Sequence, residues 1–103
     1  MTRPAIHPGA ILAEELAELG MSASALARAL DVPPNRVSQI LRGQRGITAE
    51  TALRLGRWLT MSPEFWLNLQ KQYELRLAEG ERGQEIRERV VPRAGVSADM
   101  DVA

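Results

Sequence analysis

The stretch LARALDVPPNRVSQILRG, residues 26–43, decides the fold of this chain. Apolar residues recur at helical spacing on both sides of its two adjacent prolines, at Leu26 and Leu30 before them and at Val37 and Ile40 after them. Each proline disfavours the helical conformation of the residue before it, so one helix must end here and another begin. The stretch therefore predicts two short helices joined by a deliberate turn.

The residues around the prolines mark where these two helices begin and end. Ser22 supplies an N-cap hydroxyl for the first helix, and Asp31 stands in the turn, where a residue that tolerates left-handed geometry is wanted. Pro34 fits the first position of the second helix, where no N–H is required, and Gly43 ends that helix. Two short helices with such a turn predict a helix-turn-helix motif over residues 22–43, the kind that reads the major groove of DNA.

The rest of the chain extends the pattern to five helices. An amphipathic helix precedes the motif over Pro8–Leu19, with Leu19 on its apolar side, and two more follow it. One is capped by Thr48, and the other is capped by Ser62 and continues its inward stripe to Leu77. With 103 residues, 45% hydrophobic and 4% aromatic, the chain suits one small domain. The expected fold is all-α.

The C-terminal end differs from the rest. Residues 80–103 lose the helical periodicity and gain charge, which predicts a charged tail after a domain of residues 1–79. This tail is either flexible or ordered only on a partner. Its segment IRERVV, residues 86–91, is either a short strand or further helix, and the sequence does not choose between them.

Charge is segregated along a chain whose net charge is zero. Residues 28–57 hold six arginines against Asp31 and Glu50, a local net charge of +4, and both flanks are acidic. The chain has no cysteine and no apolar run approaching a membrane span, so disulfides, thiolate metal sites and a membrane location are not expected. A cytoplasmic protein whose middle binds nucleic acid is the expectation.

The polar residues of the second motif helix are the candidates for reading DNA. Asn35, Ser38 and Gln39 can hydrogen-bond to base edges, and Asn and Gln suit adenine. Four further residues lie at the first turn, the end and the exit loop of this helix, where phosphate contacts are expected to position the protein rather than specify sequence: Arg36, Arg42, Gln44 and Arg45. The N-termini at Ser22 and Thr48 also suit a phosphate, although both residues are equally explained as ordinary caps.

Other chemistry-bearing residues have simpler explanations. His7 has no second histidine or metal-ligand spacing beside it, so no metal, cofactor or catalytic residue is expected. The glutamates of the first helix form a solvated face or, less simply, an acidic surface for a basic partner. The aromatic residues could line a ligand pocket, but at helical spacing they favour core or dimer interface. The expected dimer seam comprises Phe65, Trp66, Leu69 and Tyr73.

Four segments carry a resemblance to a known family. They are HPGAIL (His7–Leu12), RVSQILRGQRGIT (Arg36–Thr48), TALRLGRWL (Thr51–Leu59) and SPEFWLNLQKQYEL (Ser62–Leu75), and they resemble the HigA-type antitoxins of the Xre, or phage repressor-like, helix-turn-helix superfamily. The resemblance spans about His7–Ala78 and implies a five-helix repressor-like domain that binds a palindromic operator in its own promoter as a homodimer. It also implies a partner, a HigB-type toxin that is a ribosome-dependent messenger-RNA endonuclease.

Two departures from the family pattern affect the expected DNA contacts. Ala23 stands where related phage repressors commonly place a glutamine on a phosphate, so only a backbone N–H is expected to serve there. Pro34 occupies a position that is commonly polar in the family. The expected contacts with bases therefore shift to Asn35, Ser38 and Gln39. The alternative to an antitoxin is a stand-alone transcriptional repressor of the same fold without a toxin, and an enzyme or a scaffold is the remaining class.

Overall fold

The computed structural model describes residues 4–94, and helices form its secondary structure. In chain order the five helices are α1 (Pro8–Leu19), α2 (Ala23–Leu30), α3 (Pro34–Leu41), α4 (Ala49–Leu59) and α5 (Pro63–Arg89). No strand occurs between residues 4 and 94. The all-α expectation with five helices is confirmed, and the N-caps predicted at Ser22, Thr48 and Ser62 each accept a hydrogen bond from the first turn of their helix.

The turn between α2 and α3 has the geometry that the sequence predicts. Asp31 is left-handed, with φ of 59°, and the Val32 N–H donates back to the Ala27 carbonyl at 3.0 Å. Pro33 is extended, with ψ of 144°, and Pro34 opens α3. Because these residues bring the two helices together over a short turn, α3 is left with one face on the core and the other exposed.

One apolar core joins all five helices. It is built from aliphatic residues of α1–α4 and of the α3–α4 loop, with Trp66 contributed by α5. Its members are Leu12, Leu16, Leu26, Ala27, Leu30, Val37, Ile40, Ile47, Ala52, Leu55 and Trp66. The apolar positions predicted for α2 and α3 are confirmed, because Leu26, Leu30, Val37 and Ile40 are all buried.

Gly9 sets how closely α1 approaches α3. A Cβ at this position would collide with the Ile40 carbonyl oxygen, so only a glycine allows the two backbones to meet. The contact supports α3 from behind, on the side away from its polar residues. The orientation of α3 therefore depends on α1 as well as on the motif itself.

The last helix is longer than the sequence predicts. It continues beyond Leu77 through residues 80–89, so the expected end of regular structure near residue 79 is wrong, as is the strand alternative for residues 86–89. Residues 78–94 are exposed except Gly83, which the Glu79 side chain of the same helix covers. This half of α5 packs on no other helix, which is why no inward stripe marked it in the sequence. Residues 95–103 of the predicted tail lie outside the described residues.

Three apolar side chains predicted to face inward are exposed instead. Leu19, Phe65 and Leu77 have exposed fractions of 51%, 42% and 39%. Leu19 is the last residue of α1, immediately before the left-handed Gly20 turns the chain away. Phe65 and Leu77 flank the stripe of α5 that reaches the core, and helical spacing alone does not separate the centre of a stripe from its edge.

Candidate nucleic-acid interface

The exposed side of α3 presents a row of polar groups. Asn35 is exposed, Ser38 and Gln39 are partly exposed, and Arg42 is exposed at the helix end. The Ser38 hydroxyl donates to the Asn35 carbonyl at 3.3 Å, which leaves its oxygen lone pairs available to a ligand. The three residues expected to read bases thus lie together on one surface, opposite the core contacts of Val37 and Ile40.

Arg36 lies in the first turn of α3 and faces α4. Its Nη1 donates to Glu50 Oε1 over 3.1 Å, and its side chain is 25% exposed. Glu50 belongs to the first turn of α4, so this ion pair joins the starts of the two helices. A phosphate would therefore compete with the Glu50 carboxylate for the predicted contact with Arg36.

Arg54 connects the same glutamate to the motif turn. Its Nη2 donates to Glu50 Oε2 at 3.3 Å, and its Nη1 donates to the carbonyls of Leu30 and Asp31 at 2.9 and 3.3 Å. These carbonyls lie at the end of α2, where a helix leaves acceptors without partners. Arg54 therefore joins the turn to α4. Glu50, which binds both Arg54 and Arg36, extends this network to α3.

Two guanidinium groups act on the carboxyl of Glu50. The hydrogen bond and charge of Arg54, followed by the charge of Arg36, lower the pKa of Glu50. The carboxyl therefore stays ionised at neutral pH and keeps both arginines in place. Because the group is exposed, salt screens this network more strongly than it would a buried one.

The loop after α3 turns back towards the reading surface, which is the exposed side of α3 with Asn35, Ser38 and Gln39. Gly43 is left-handed, with φ of 74°, and the Gln44 N–H donates to the Gln39 carbonyl at 2.8 Å. Such a closure is the usual helix ending built on a left-handed glycine. It brings Arg45 back beside α3, where Arg45 Nε donates to Gln39 Oε1 over 2.9 Å.

His7 supports this loop from beneath. Its Nδ1 accepts the Gly9 N–H at 2.8 Å and so caps α1, and its ring lies against Gly43 of the loop. The ring also meets Tyr73 edge to face, with ring centroids 4.8 Å apart. Burial lowers the pKa of His7, an effect that the backbone of Arg45 partly opposes. The histidine therefore has a structural role in this fold.

Comparison with known proteins identifies the family of this chain. A helix-turn-helix family model matches residues 12–66, more than half of the chain. The chain belongs to the Xre-like helix-turn-helix family.

Proteins similar to this chain include HigA-family antitoxins. An addiction module antidote protein of the HigA family from Coxiella burnetii is 51% identical, with a TM-score of 0.87 over 88% of this chain and 100% of that one. The Pseudomonas aeruginosa antitoxin HigA, solved with the higBA promoter, is 47% identical, with a TM-score of 0.83 over 85% of this chain and 97% of that one. Virulence-associated protein I of Dichelobacter nodosus is 55% identical over 77% of this chain and 74% of its own length.

Ser22 and Thr48, whose helix starts are expected to contact phosphate, both make N-cap hydrogen bonds. Ser22 Oγ accepts the Ala25 N–H at 3.1 Å, and Thr48 Oγ1 accepts the Thr51 N–H at 3.3 Å. Ordinary capping is therefore present at both positions. The Arg36–Glu50 pair places the start of α4 beside α3, whereas the start of α2 lies at the opposite end of its own helix from the turn.

The residues expected at a dimer seam fall into two groups. Trp66 is 1% exposed and packs in the core of a single chain, so it has no surface to offer a second chain and is removed from the expected seam. Phe65 is exposed, and Leu69 and Tyr73 are partly exposed. Phe65 contacts Trp66 edge to face at a centroid distance of 5.1 Å, which fixes the exposed ring on a rigid base.

Sequence reasoning missed the residues that hold the interface together. Arg54 and Glu50 counted there only as charges, although they sit four residues apart on one helix face, the spacing at which opposite charges pair. Gln70 was also missed; its Oε1 accepts the Ile47 N–H at 2.7 Å and fixes the end of the loop that carries Arg45. No local pattern predicts that contact, because 23 residues separate its partners.

Two further features of the described residues concern metal ligands and membrane spans. Among residues 4–94 no three His, Cys, Asp or Glu side chains gather as metal ligands would. No helix in that range is both long and apolar enough to cross a membrane. The glutamates of α1 are exposed, as a solvated face requires.

Proposed function

We propose that this chain is an antitoxin that represses its own operon and neutralises a toxin. It binds a palindromic operator as a homodimer through α3, and it binds a HigB-type toxin, a ribosome-dependent messenger-RNA endonuclease. The observation that carries the proposal is the surface of α3 with its returning loop, in a chain that aligns over 97% of a HigA antitoxin solved with promoter DNA.

DNA reading is assigned to the centre of this surface. Asn35, Ser38 and Gln39 contact base edges in the major groove, while the arginines around them meet phosphates. Arg42 is the most accessible arginine for a phosphate contact in this proposal, because it is exposed and makes no ion pair among residues 4–94. The helix starts at Ser22 and Thr48 and the side chains of Arg36 and Gln44 complete the proposed backbone contacts.

Dimerisation is assigned to the exposed edge of α5. Two copies reading half-sites one helical turn apart bind more tightly than one short helix can, which favours a dimer for an operator of two halves. Phe65, Leu69 and Tyr73 form the proposed seam. Phe65→Glu should give a folded monomer in sedimentation, whereas Trp66→Glu should unfold the chain. A folded Phe65→Glu dimer would remove this seam from the proposal.

The DNA part is tested with the duplex upstream of the chain's own coding sequence. Binding should weaken steeply as salt rises, because phosphate contacts release counterions. Gln39→Ala should weaken this duplex by about 1–3 kcal/mol per half-site while leaving random DNA unaffected. Arg42→Ala should weaken both duplexes alike. Equal affinity of the native chain for the upstream duplex and for random DNA would contradict sequence-specific repression.

The toxin part is tested separately. The product of the neighbouring reading frame is co-expressed with the tagged chain, and the purified material is assayed for a stable complex and for arrest of translation by the partner alone. A complex that relieves the arrest supports the antitoxin. Specific DNA binding without any such partner would instead leave a stand-alone transcriptional repressor.

A further inference from the structure

Gln39 and Arg45 form a preassembled pair on the exposed side of α3. Arg45 Nε lies 2.9 Å from Gln39 Oε1. A guanidinium has only donors, so the amide atom in this contact must be the oxygen. Among residues 4–94 the Gln39 amide nitrogen and the terminal nitrogens of Arg45 make no further hydrogen bond, so their N–H donors remain for a ligand.

The fold holds both members of this pair in place. The left-handed Gly43 and the Gln44 N–H bond to the Gln39 carbonyl reverse the chain directly after α3. The His7 ring lies against Gly43, at the turn that precedes Arg45. A side chain that is already placed loses less conformational entropy on binding than a mobile one.

We propose that Arg45 is a specificity-determining residue that, with Gln39, selects guanine in the major groove. This inference rests on the DNA binding proposed above and changes the role expected for Arg45, from holding phosphate to selecting a base. Adenine offers one acceptor and one donor in the major groove, and guanine offers two acceptors, N7 and O6.

The pairing of the two side chains changes which base they fit. A glutamine alone suits adenine, because its oxygen accepts from the adenine amino group while its nitrogen donates to N7. Arg45 fills one of the two lone pairs of the Gln39 oxygen and places further N–H groups beside it, so the pair presents mainly donors. A surface of donors matches the two acceptors of guanine and meets the adenine amino group unfavourably.

The test is selection of binding sites from a fully randomised DNA duplex library. The full chain is compared with Gln39→Ala, Arg45→Met, Arg45→Lys and Arg42→Met, each checked for an unchanged helical spectrum. The base position whose preference disappears in Gln39→Ala is the position that Gln39 reads. At this position the native chain should select guanine over adenine by at least about fivefold, the lower end for a good two-bond contact.

Each arginine variant then separates the pair from simple charge. Arg45→Met should shift that one position from guanine towards adenine and leave the other positions unchanged. Arg45→Lys should shift it in the same way, because lysine keeps the charge but lacks the planar fork of donors. Arg42→Met, the matched control, should lower affinity and leave every base preference as it is.

The failures can be told apart. An unchanged guanine preference in Arg45→Met or in Arg45→Lys overturns the inference, as does adenine at this position for the native chain. Enrichment of no sequence at all by the native chain overturns the proposed operator binding, and this inference with it.

Discussion

Two regions of the chain are rich in arginine but use it differently. Residues 28–57 hold six arginines and residues 76–93 hold five. In the first region arginines join separate elements: Arg54 connects α4 to the turn, and Arg36 connects α3 to α4. In the second, each recorded ion pair lies within α5, as in the pair between Arg82 and Glu85.

The difference concerns what each contact can stabilise. A pair within one helix supports that helix by a few tenths of a kcal/mol, about 0.2–0.5, and has no influence on where other helices lie. A contact between elements fixes their relative position, which the reading surface of α3 requires. The partner of an arginine, rather than the number of arginines, therefore separates a positioned interface from a solvated helix.

The largest expected contrast compares Gly9, which packs against α3 of the first region, with Gly80 of the second. Gly9→Ala forces a Cβ into the Ile40 carbonyl, so it should destabilise the chain by about 3 kcal/mol, the cost of marked overpacking. Gly80→Ala meets nothing within 4 Å, so it should stabilise the chain by about 0.5–1 kcal/mol through helix propensity. Urea unfolding of both variants measures the contrast. Equal and small changes would show that α1 does not press on α3 as described.

A smaller contrast comes from one arginine in each region. Arg54→Met removes donors from the Leu30 and Asp31 carbonyls, so it should lower the free energy of unfolding by about 2 kcal/mol. Arg82→Met removes a pair within α5 and should change it by less than about 0.5 kcal/mol. Urea unfolding gives both values, and similar losses would contradict the distinction drawn between the two regions.

The sequence predicts what local rules control. Caps, prolines and apolar spacing place the starts of α2–α5 correctly, because each start depends on a few adjacent residues. The end of α5 was wrong for the same reason: a helix that packs on nothing shows no apolar stripe, although residues 80–89 contain good helix formers. Propensity, rather than periodicity, was the informative signal there.

The candidate site was only half predictable. Helical spacing correctly separates the buried residues of α3 from the polar residues that it exposes. The partners of those polar residues were not predictable, because Gln39 meets Arg45 only after Gly43 reverses the chain, and Arg36 meets a glutamate 14 residues away. Such contacts depend on tertiary placement, and charge counts along the chain do not contain it.

The smallest effect concerns His7, which joins α1 to the loop of the reading surface. Burial lowers the pKa of His7 in the folded chain, so the unfolded chain, with a value near 6.5, takes up the proton first as pH falls. The stability that neutral His7 contributes is therefore complete above pH 6.5 and is lost as pH falls through the folded pKa.

His7→Asn separates this titration from the capping role. Asparagine still accepts the Gly9 N–H as an N-cap but has no charge to gain. Urea midpoints measured from about pH 7 to pH 5, above the usual range of carboxyl groups, should fall for the native chain and stay nearly constant for the variant. Glu64→Gln, at the start of α5, serves as the control and should retain the native slope, because its carboxyl titrates below that interval. If the urea midpoints of the native chain and of His7→Asn fell equally with pH, the proton would bind elsewhere. His7 would then not be the source of the pH dependence of stability.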